Sequence, residues 1–106
     1  MIKSIDFLQA TISVYGGKKG DAAKALGVAN NTISNWLKRE HVSPAAAVKC
    51  AKISGADPAF AEAIAGAETI EDESARVTVL KTIHRAFNVS FSRPLRAMKK
   101  ALSLAR

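Results

Sequence analysis

The feature that most constrains the fold is a pair of short helical patterns separated by a three-residue turn that begins with a glycine. Residues 19–26 read KGDAAKAL and residues 30–39 read NNTISNWLKR, with Gly27 between them. Gly27 can adopt a positive φ without steric cost, so it can end the first helix and turn the chain. Ala23 is small enough for the two helices to cross closely. Three apolar side chains are expected to fill the angle between the helices, namely Val28, Ile33 and Trp36.

The second helix of this pair has an unusual polar side. Three asparagines fall within six residues, although asparagine is a poor helix former, so a solvated face alone explains them badly. Two short helices joined by a tight turn, the second with polar side chains outside, form a helix-turn-helix. Asparagine can make two hydrogen bonds to adenine in the major groove of DNA. The residues predicted to read bases are Asn30, Asn31, Thr32, Ser34 and Asn35, unless Asn30 caps the helix instead.

Periodicity and capping signals predict the other helices and an all-α fold. An apolar stripe with spacings of three and four predicts a first helix that ends at Gly16 and Gly17. Ser43 and Asp57 each precede a proline, which predicts that the fourth and fifth helices begin there. The stripe runs through Ile5, Leu8, Ile12 and Tyr15.

The C-terminal part of the chain predicts two more helices. Thr69 begins TIED, which resembles a capping box, and predicts a sixth helix that leaves the compact domain and ends near Asn88. A short extended piece, VSFS, then precedes Pro94 and a basic last helix over residues 93–105. No strand, repeat or low-complexity tract is expected.

Charge is distributed in blocks and favours a polyanionic partner. The net charge is +7, yet residues 54–75 hold six acidic and no basic side chains, whereas residues 76–106 hold eight basic and no acidic ones. Such an excess suits nucleic acid or an anionic membrane surface. Lysine and arginine bracket the two helices of the motif, where phosphate contact is expected from Lys18, Lys19, Lys38 and Arg39.

Several site types have little support. The single cysteine, Cys50, excludes an internal disulfide and is expected to be a buried structural thiol. His41 and His84 lack partners at ligand or triad spacing and are expected to be solvated or at an interface, so no metal, cofactor or enzymatic activity is predicted. No apolar run approaches the roughly 18 residues of a membrane span, and no export signal is recognisable, which favours the cytoplasm.

The sequence resembles the Cro/repressor-type (lambda-repressor-like, Xre-like) helix-turn-helix family of phage and bacterial transcriptional regulators. The resemblance rests on KGDAAKALGVANNTISNWLK and extends more loosely over some 60 residues, from the first helix to the fifth. It implies a five-helix lambda-repressor-like domain, base contacts from the positions of Asn30, Asn31, Ser34 and Asn35, and phosphate contacts at the start of the second helix. The chain departs from the family at Lys18-Lys19-Gly20, where a hydroxyl or glutamine pair is common, and at Ala29, a common capping position.

These observations predict a DNA-binding domain over residues 1–66 and a helical extension over residues 67–106 that mediates self-association. A sequence-specific repressor would bind double-stranded DNA as a homodimer or higher homo-oligomer on a palindromic operator. The residues predicted to mediate self-association are Val79, Leu80, Ile83, Phe87, Leu95, Met98 and Leu102.

Three alternatives remain open. An antitoxin-type protein would use the same DNA-binding half, with its C-terminal helices bound to a protein partner. The second alternative is a basic membrane-active helix on a passive domain, and the third and least favoured is an enzyme. The basic last helix, residues 93–105, could pack on its own domain, join a second copy, grip phosphates or lie on anionic lipid.

Overall fold

The computed structural model of the protein describes the backbone of residues 1–90 and the side chains of residues 1–87. Over residues 1–90 the chain is all-helical, with six helices and no strand. The predicted all-α class is confirmed over this range. The helices are α1 (Ser4–Val14), α2 (Lys19–Leu26), α3 (Asn30–Arg39), α4 (Pro44–Ser54), α5 (Pro58–Ala67) and α6 (Glu73–Ser90).

The starts of α4 and α5 follow from local capping. The Ser43 hydroxyl accepts a hydrogen bond from the Ala46 N–H at 3.4 Å, and a carboxylate oxygen of Asp57 accepts one from the Ala59 N–H at 2.8 Å. In both helices a proline occupies the first helical position, where its missing N–H costs nothing. Both predicted boundaries are confirmed.

The core is formed where α4 packs against α1 and α5. Phe7 of α1 and Phe60 of α5 meet edge to face, with their ring centroids 5.9 Å apart. Full burial of such a side chain contributes roughly 1.5–3 kcal/mol. Among the described residues, every buried side-chain nitrogen or oxygen has a hydrogen-bond partner. The largest fully buried apolar side chains are Phe7, Leu8, Leu26, Ile33, Val42, Phe60 and Ile64.

Helix α6 packs back on the core, contrary to the prediction that it leaves the compact domain. The ring of Phe87 lies 5.1 Å from that of Phe60, and His84 meets Phe60 edge to face at 5.5 Å. The Ile2 N–H donates to Nε2 of His84 at 3.0 Å, which joins α6 to the N-terminus of the chain. The apolar stripe of α6 therefore finds part of its burial within the same chain.

The start of α6 also differs from the prediction. Asp72, not Thr69, caps the helix, since its carboxylate accepts a hydrogen bond from the Ala75 N–H at 2.7 Å. Thr69 instead donates its hydroxyl to the Gly66 carbonyl at 2.7 Å, which extends the end of α5. Because α6 continues to Ser90, the first half of VSFS is helical and not extended. The rest of VSFS and the predicted basic last helix lie outside the described residues.

Candidate nucleic-acid interface

Gly27 makes the turn between α2 and α3. It lies in the left-handed region at φ 70°, and the Gly27 and Val28 N–H groups donate to the carbonyls of Lys24 and Ala23 at 3.1 and 3.0 Å. A Cβ at Gly27 would meet no atom within 4 Å, so a larger residue there would be opposed by backbone conformation and not by crowding. Glycine at this position therefore supports the sharp change of direction into α3.

One side of α3 is anchored in the core. The side chain of Ile33 is fully buried, and that of Trp36 is 7% exposed. Ala23 on α2 is buried too, which lets the two helices approach closely. Val28 and Leu37 cover the edges of this contact and are half-buried. The structure thus confirms Trp36 as a core residue and gives α3 a defined rotation about its own axis.

The opposite side of α3 is open to solvent and polar. Asn31, Asn35 and Lys38 are spaced by four and three residues, so they follow one another along this side, and all three are exposed. Ser34 is exposed beside them, and its hydroxyl donates only a long 3.4 Å hydrogen bond to the Asn30 carbonyl. We call this surface the amide face, which comprises Asn30, Asn31, Ser34, Asn35 and Lys38.

The first residues of α3 resolve the question of which residue caps the helix. Ala29 occupies the capping position, and no side chain there accepts a hydrogen bond. Asn30 is the first residue within the helix, so it does not cap α3, contrary to the alternative considered from the sequence. Its side chain is exposed, whereas Thr32 is half-buried at the edge of the amide face. Four of the five predicted base-reading residues therefore share the open surface.

The basic side chains predicted to contact phosphate are exposed and carry uncompensated charge. Within residues 1–87, the only pair at ion-pair distance joins His41 and Glu68. Lys18 and Lys19 stand at the capping and first positions of α2, where the helix dipole disfavours cations. Lys38 and Arg39 lie in the last turn of α3. The motif therefore presents positive charge at both ends without internal neutralisation.

A polar cluster behind the end of α3 was not predicted from the sequence. The Glu68 carboxylate accepts hydrogen bonds from the Ser4 N–H at 2.8 Å, from the Ser4 hydroxyl, and from Nδ1 of His41 at 2.6 Å. The Ser4 hydroxyl in turn accepts from the Val42 N–H at 3.0 Å. This cluster ties the loop after α3 to the start of α1 and the end of α5. Its members are far apart in sequence, so no local pattern signals it.

Neither histidine is simply solvated, which was one of the two expectations for them. His41 and His84 are half-buried and hydrogen-bonded within the chain. Nδ1 of His84 lies 2.7 Å from the Leu80 carbonyl, which can only accept, so this nitrogen carries the proton. Nε2 is then the acceptor for the Ile2 N–H.

Two more basic side chains come close to the end of α3. Lys3 and Arg76 line a cleft of about 600 Å³ together with Arg39, although they are remote from it in sequence. Glu40 and Glu68 line the same cleft, so its charge is mixed. Arg76 also donates to the Ile70 carbonyl at 3.0 Å, which holds its guanidinium near the start of α6.

The remaining reactive groups are structural. Burial raises the pKa of the Cys50 thiol to about 11, so it stays protonated at neutral pH, as expected for a buried structural thiol. No group of three or more potential metal ligands occurs among the described residues. Within residues 1–90, no helix has both the length and the apolarity needed to cross a bilayer.

The residues predicted to mediate self-association fall into three groups. Val79 is 36% exposed, whereas Leu80, Ile83 and Phe87 are half-buried against the core. Leu95, Met98 and Leu102 lie outside the described residues. Val79 and Ile83 also line an open groove between α5 and α6. We call this the α5–α6 groove, lined by Ala59, Glu62, Ala63, Gly66, Ala67, Ile70, Val79 and Ile83.

The comparisons with known proteins point to one family. The family model described as "Bacteriophage CI repressor helix-turn-helix domain" matches residues 6–58. The match runs from α1 to the first residue of α5 and includes the whole of α2, Gly27 and α3. Neither the search of curated proteins nor that of solved structures found a match.

Proposed function

Because the chain belongs to the bacteriophage CI repressor helix-turn-helix family and is therefore a DNA-binding regulator, we propose that it represses transcription by reading a palindromic operator with α3. Repressor-type domains of this kind are typically not enzymes. Repression would result when the bound protein occludes a promoter.

The observation that carries the proposal is the exposed amide face on a helix whose other side is buried. Burial of Ile33 and Trp36 leaves α3 no rotation in which the asparagines turn inward. An α-helix enters the major groove, where an asparagine amide can bond both N6 and N7 of adenine. Each such pair discriminates against a wrong base by about 1–3 kcal/mol. Asn31 and Asn35 are the leading base-reading residues, with Asn30, Thr32 and Ser34 beside them.

Affinity would come largely from the basic side chains at the ends of the motif. Lys18, Lys19, Lys38 and Arg39 are exposed, and none of them pairs with a carboxylate of residues 1–87. They can therefore neutralise phosphates without first breaking an ion pair within that range. Each neutralised phosphate adds about 0.9 to the slope of log affinity against log salt concentration. The same charges would hold the protein in register on the duplex without contributing sequence discrimination.

Two copies would be needed for adequate affinity and specificity. Helix α3 has ten residues, so it spans about 15 Å and can reach only a few base pairs. A two-fold dimer would place two such helices in successive major grooves about 34 Å apart, which requires a palindromic operator. In this proposal residues 1–66 bind DNA, and residues 67–106 mediate self-association while α6 remains packed on the domain.

Two substitutions in the full chain test the proposal. Asn35→Ala should reduce the preference for the operator over mutated operators by about tenfold or more, because a base contact is lost. Lys19→Ala should weaken binding to all sequences and lower the salt slope by about 1. Operators would first be selected from a random DNA pool, and binding then measured at two salt concentrations.

Matched controls lie elsewhere on the surface. Gln9→Ala removes an exposed amide from α1, and Lys52→Ala removes an exposed cation from α4; neither should change discrimination. If Asn35→Ala weakened every DNA sequence equally, base reading by α3 would be wrong.

A second candidate is an antitoxin-type protein that binds DNA through the same motif and neutralises a protein partner. The open α5–α6 groove favours it, since an apolar surface of this kind can receive a partner helix. A toxin-like reading frame beside the gene, whose product co-purifies with this chain, would support the antitoxin function. A divergently transcribed regulator gene in that place would favour a phage switch.

A further inference from the structure

We propose that two copies of the chain associate by exchanging their C-terminal segments, so that residues 91–106 of each copy dock in the α5–α6 groove of the other. This inference rests on the proposed function, because a palindromic operator requires two copies. It adds the site on each copy and the segment that occupies it.

The α5–α6 groove has the chemistry and shape of a helix-binding surface. Its volume is about 580 Å³, and it is open to solvent. Ala59, Ala63 and Gly66 lie along α5, each about one turn from the next, and their small size lets another backbone come close. Above Gly66 there is no atom within 4 Å of where a Cβ would stand. The half-buried Ile83 and the more exposed Val79 form the α6 side.

The C-terminal segment carries a matching apolar stripe. Leu95, Met98 and Leu102 are spaced by three and four residues, the repeat of one helix side. Seven residues separate the first from the last, which corresponds to about 10 Å in a helix. Seven residues also separate Ala59 from Gly66 on α5, so the apolar parts of the groove and of the segment have the same length.

Charge complementarity also favours the C-terminal segment as the occupant, compared with direct pairing of the grooves of two copies. Residues 91–106 contain five basic side chains and no acidic one. Glu62 lines the groove. Glu71 and Asp72 are exposed in the turn that leads into α6, and Glu73 is exposed at the first position of that helix. Direct pairing of two grooves would bring the Glu62 side chains of both copies into one interface, whereas a basic segment complements them.

The connection between α6 and the exchanged segment is short. Helix α6 is described as far as Ser90, and the sequence predicts Pro94 at the first position of a following helix. Residues 91–94 span at most about 13 Å when extended, so the exchange requires the start of the neighbour's groove to lie within that distance of Ser90. Reciprocal exchange produces two identical contacts related by a two-fold axis, the symmetry of a palindromic operator.

Complementation between two full-chain variants tests the exchange. Val79→Lys places a cation in the groove, and the double variant Met98→Lys, Leu102→Lys removes the apolar stripe from the segment. Each variant alone should dimerise at least about tenfold more weakly than the native chain, because both of its contacts are broken. An equimolar mixture should form heterodimers, since one copy has an intact groove and the other an intact segment. Particle mass would be measured by analytical ultracentrifugation.

Thr78→Lys is the matched control, because it adds the same charge to the neighbouring, exposed position of α6. It should leave the dimer unchanged, and circular dichroism should show native helicity for all variants. Failure of the mixture to dimerise when both variants are folded would overturn the exchange. So would a native chain that is monomeric with its own segment in its own groove, or one that dimerises only with a different protein.

The exchange and the proposed function can fail separately. If the mixture does not dimerise but Asn35→Ala still lowers base discrimination on a single half-site, the exchange is wrong and the DNA-reading proposal stands. If heterodimers form while Asn35→Ala leaves discrimination unchanged, the exchange is correct and base reading by α3 is wrong.

Discussion

The amide face of α3 and the α5–α6 groove are both open to water, but their chemistry differs. The amide face consists of amides, a hydroxyl and a cation, which are well hydrated and need no cover. The groove leaves Ile70, Val79 and Ile83 partly in water, and each Å² of apolar surface left there forgoes about 25 cal/mol. A hydrated polar surface on a rigid helix suits selective polar recognition, whereas a wet apolar groove suits association.

The two regions are also supported differently. Helix α3 is anchored by the buried side chains of Ile33 and Trp36, so the residues on its outer side make no contribution to the core. Helix α6 divides its apolar residues between the core, through Phe87, and the groove, through Val79. The following predictions test this contrast, from the largest expected effect to the smallest.

Trp36→Ala should cost about 3–5 kcal/mol of unfolding free energy, because a nearly buried indole is replaced by a cavity. Ser34→Ala, on the open side of the same helix, should change stability by no more than about 0.5 kcal/mol. Urea denaturation of both variants measures the difference. Similar losses at both positions would show that α3 does not have one structural and one free side.

Glu68→Ala should lower the free energy of unfolding by about 2–3 kcal/mol, because the Ser4 and His41 donors lose their acceptor. The exposed Glu71→Ala is the control and should be nearly neutral. Amide hydrogen exchange should also speed up at Val42, whose N–H donates to the Ser4 hydroxyl. Unchanged exchange there would mean that the cluster does not hold the loop after α3.

Phe87→Ala should lower the free energy of unfolding by about 2 kcal/mol, because the half-buried ring of Phe87 packs on Phe60. Val79→Ala should cost less than about 1 kcal/mol in a monomeric background such as the variant with Met98→Lys and Leu102→Lys, since Val79 faces the open groove. Thermal unfolding of both variants in that background compares the two sides of α6. An equal loss at both positions would contradict the division of its apolar residues.

The smallest expected effect concerns Cys50, which is buried in α4 and belongs to neither surface. The pKa of Cys50 is raised from 9.0 to about 11 in the folded chain, so the native state binds the proton more tightly than the unfolded state. The stability that this difference contributes is fully present well below pH 9 and is lost as the pH rises towards 11. Between pH 7 and pH 9.5 the unfolding free energy of the native chain should therefore fall by about 1 kcal/mol more than that of Cys50→Ala. If the unfolding free energies of the two chains changed in parallel with pH, this prediction would be wrong.

Local patterns were sufficient for much of the motif and its neighbours. Ser43 and Asp57 predicted the starts of α4 and α5, because a cap and a proline act within one helical turn. The spacing of Ile33 and Trp36 predicted which side of α3 is buried, and hence which asparagines are exposed. The same approach misplaced the start of α6, since Thr69 and Asp72 are both competent caps and only the packing of the turn selects Asp72.

The sequence by itself determined the helical character of the chain, the position of the turn at Gly27 and the polar composition of the amide face. Hydrogen bonds and side-chain periodicity within a few residues are enough for these features. Only the tertiary structure decided that α6 returns to Phe60, that Glu68 joins Ser4 to His41, and that a groove remains beside α5. The hydrogen bonds of the first two features join residues 27 to 82 positions apart. Such contacts arise from the packing of whole helices and leave no local pattern.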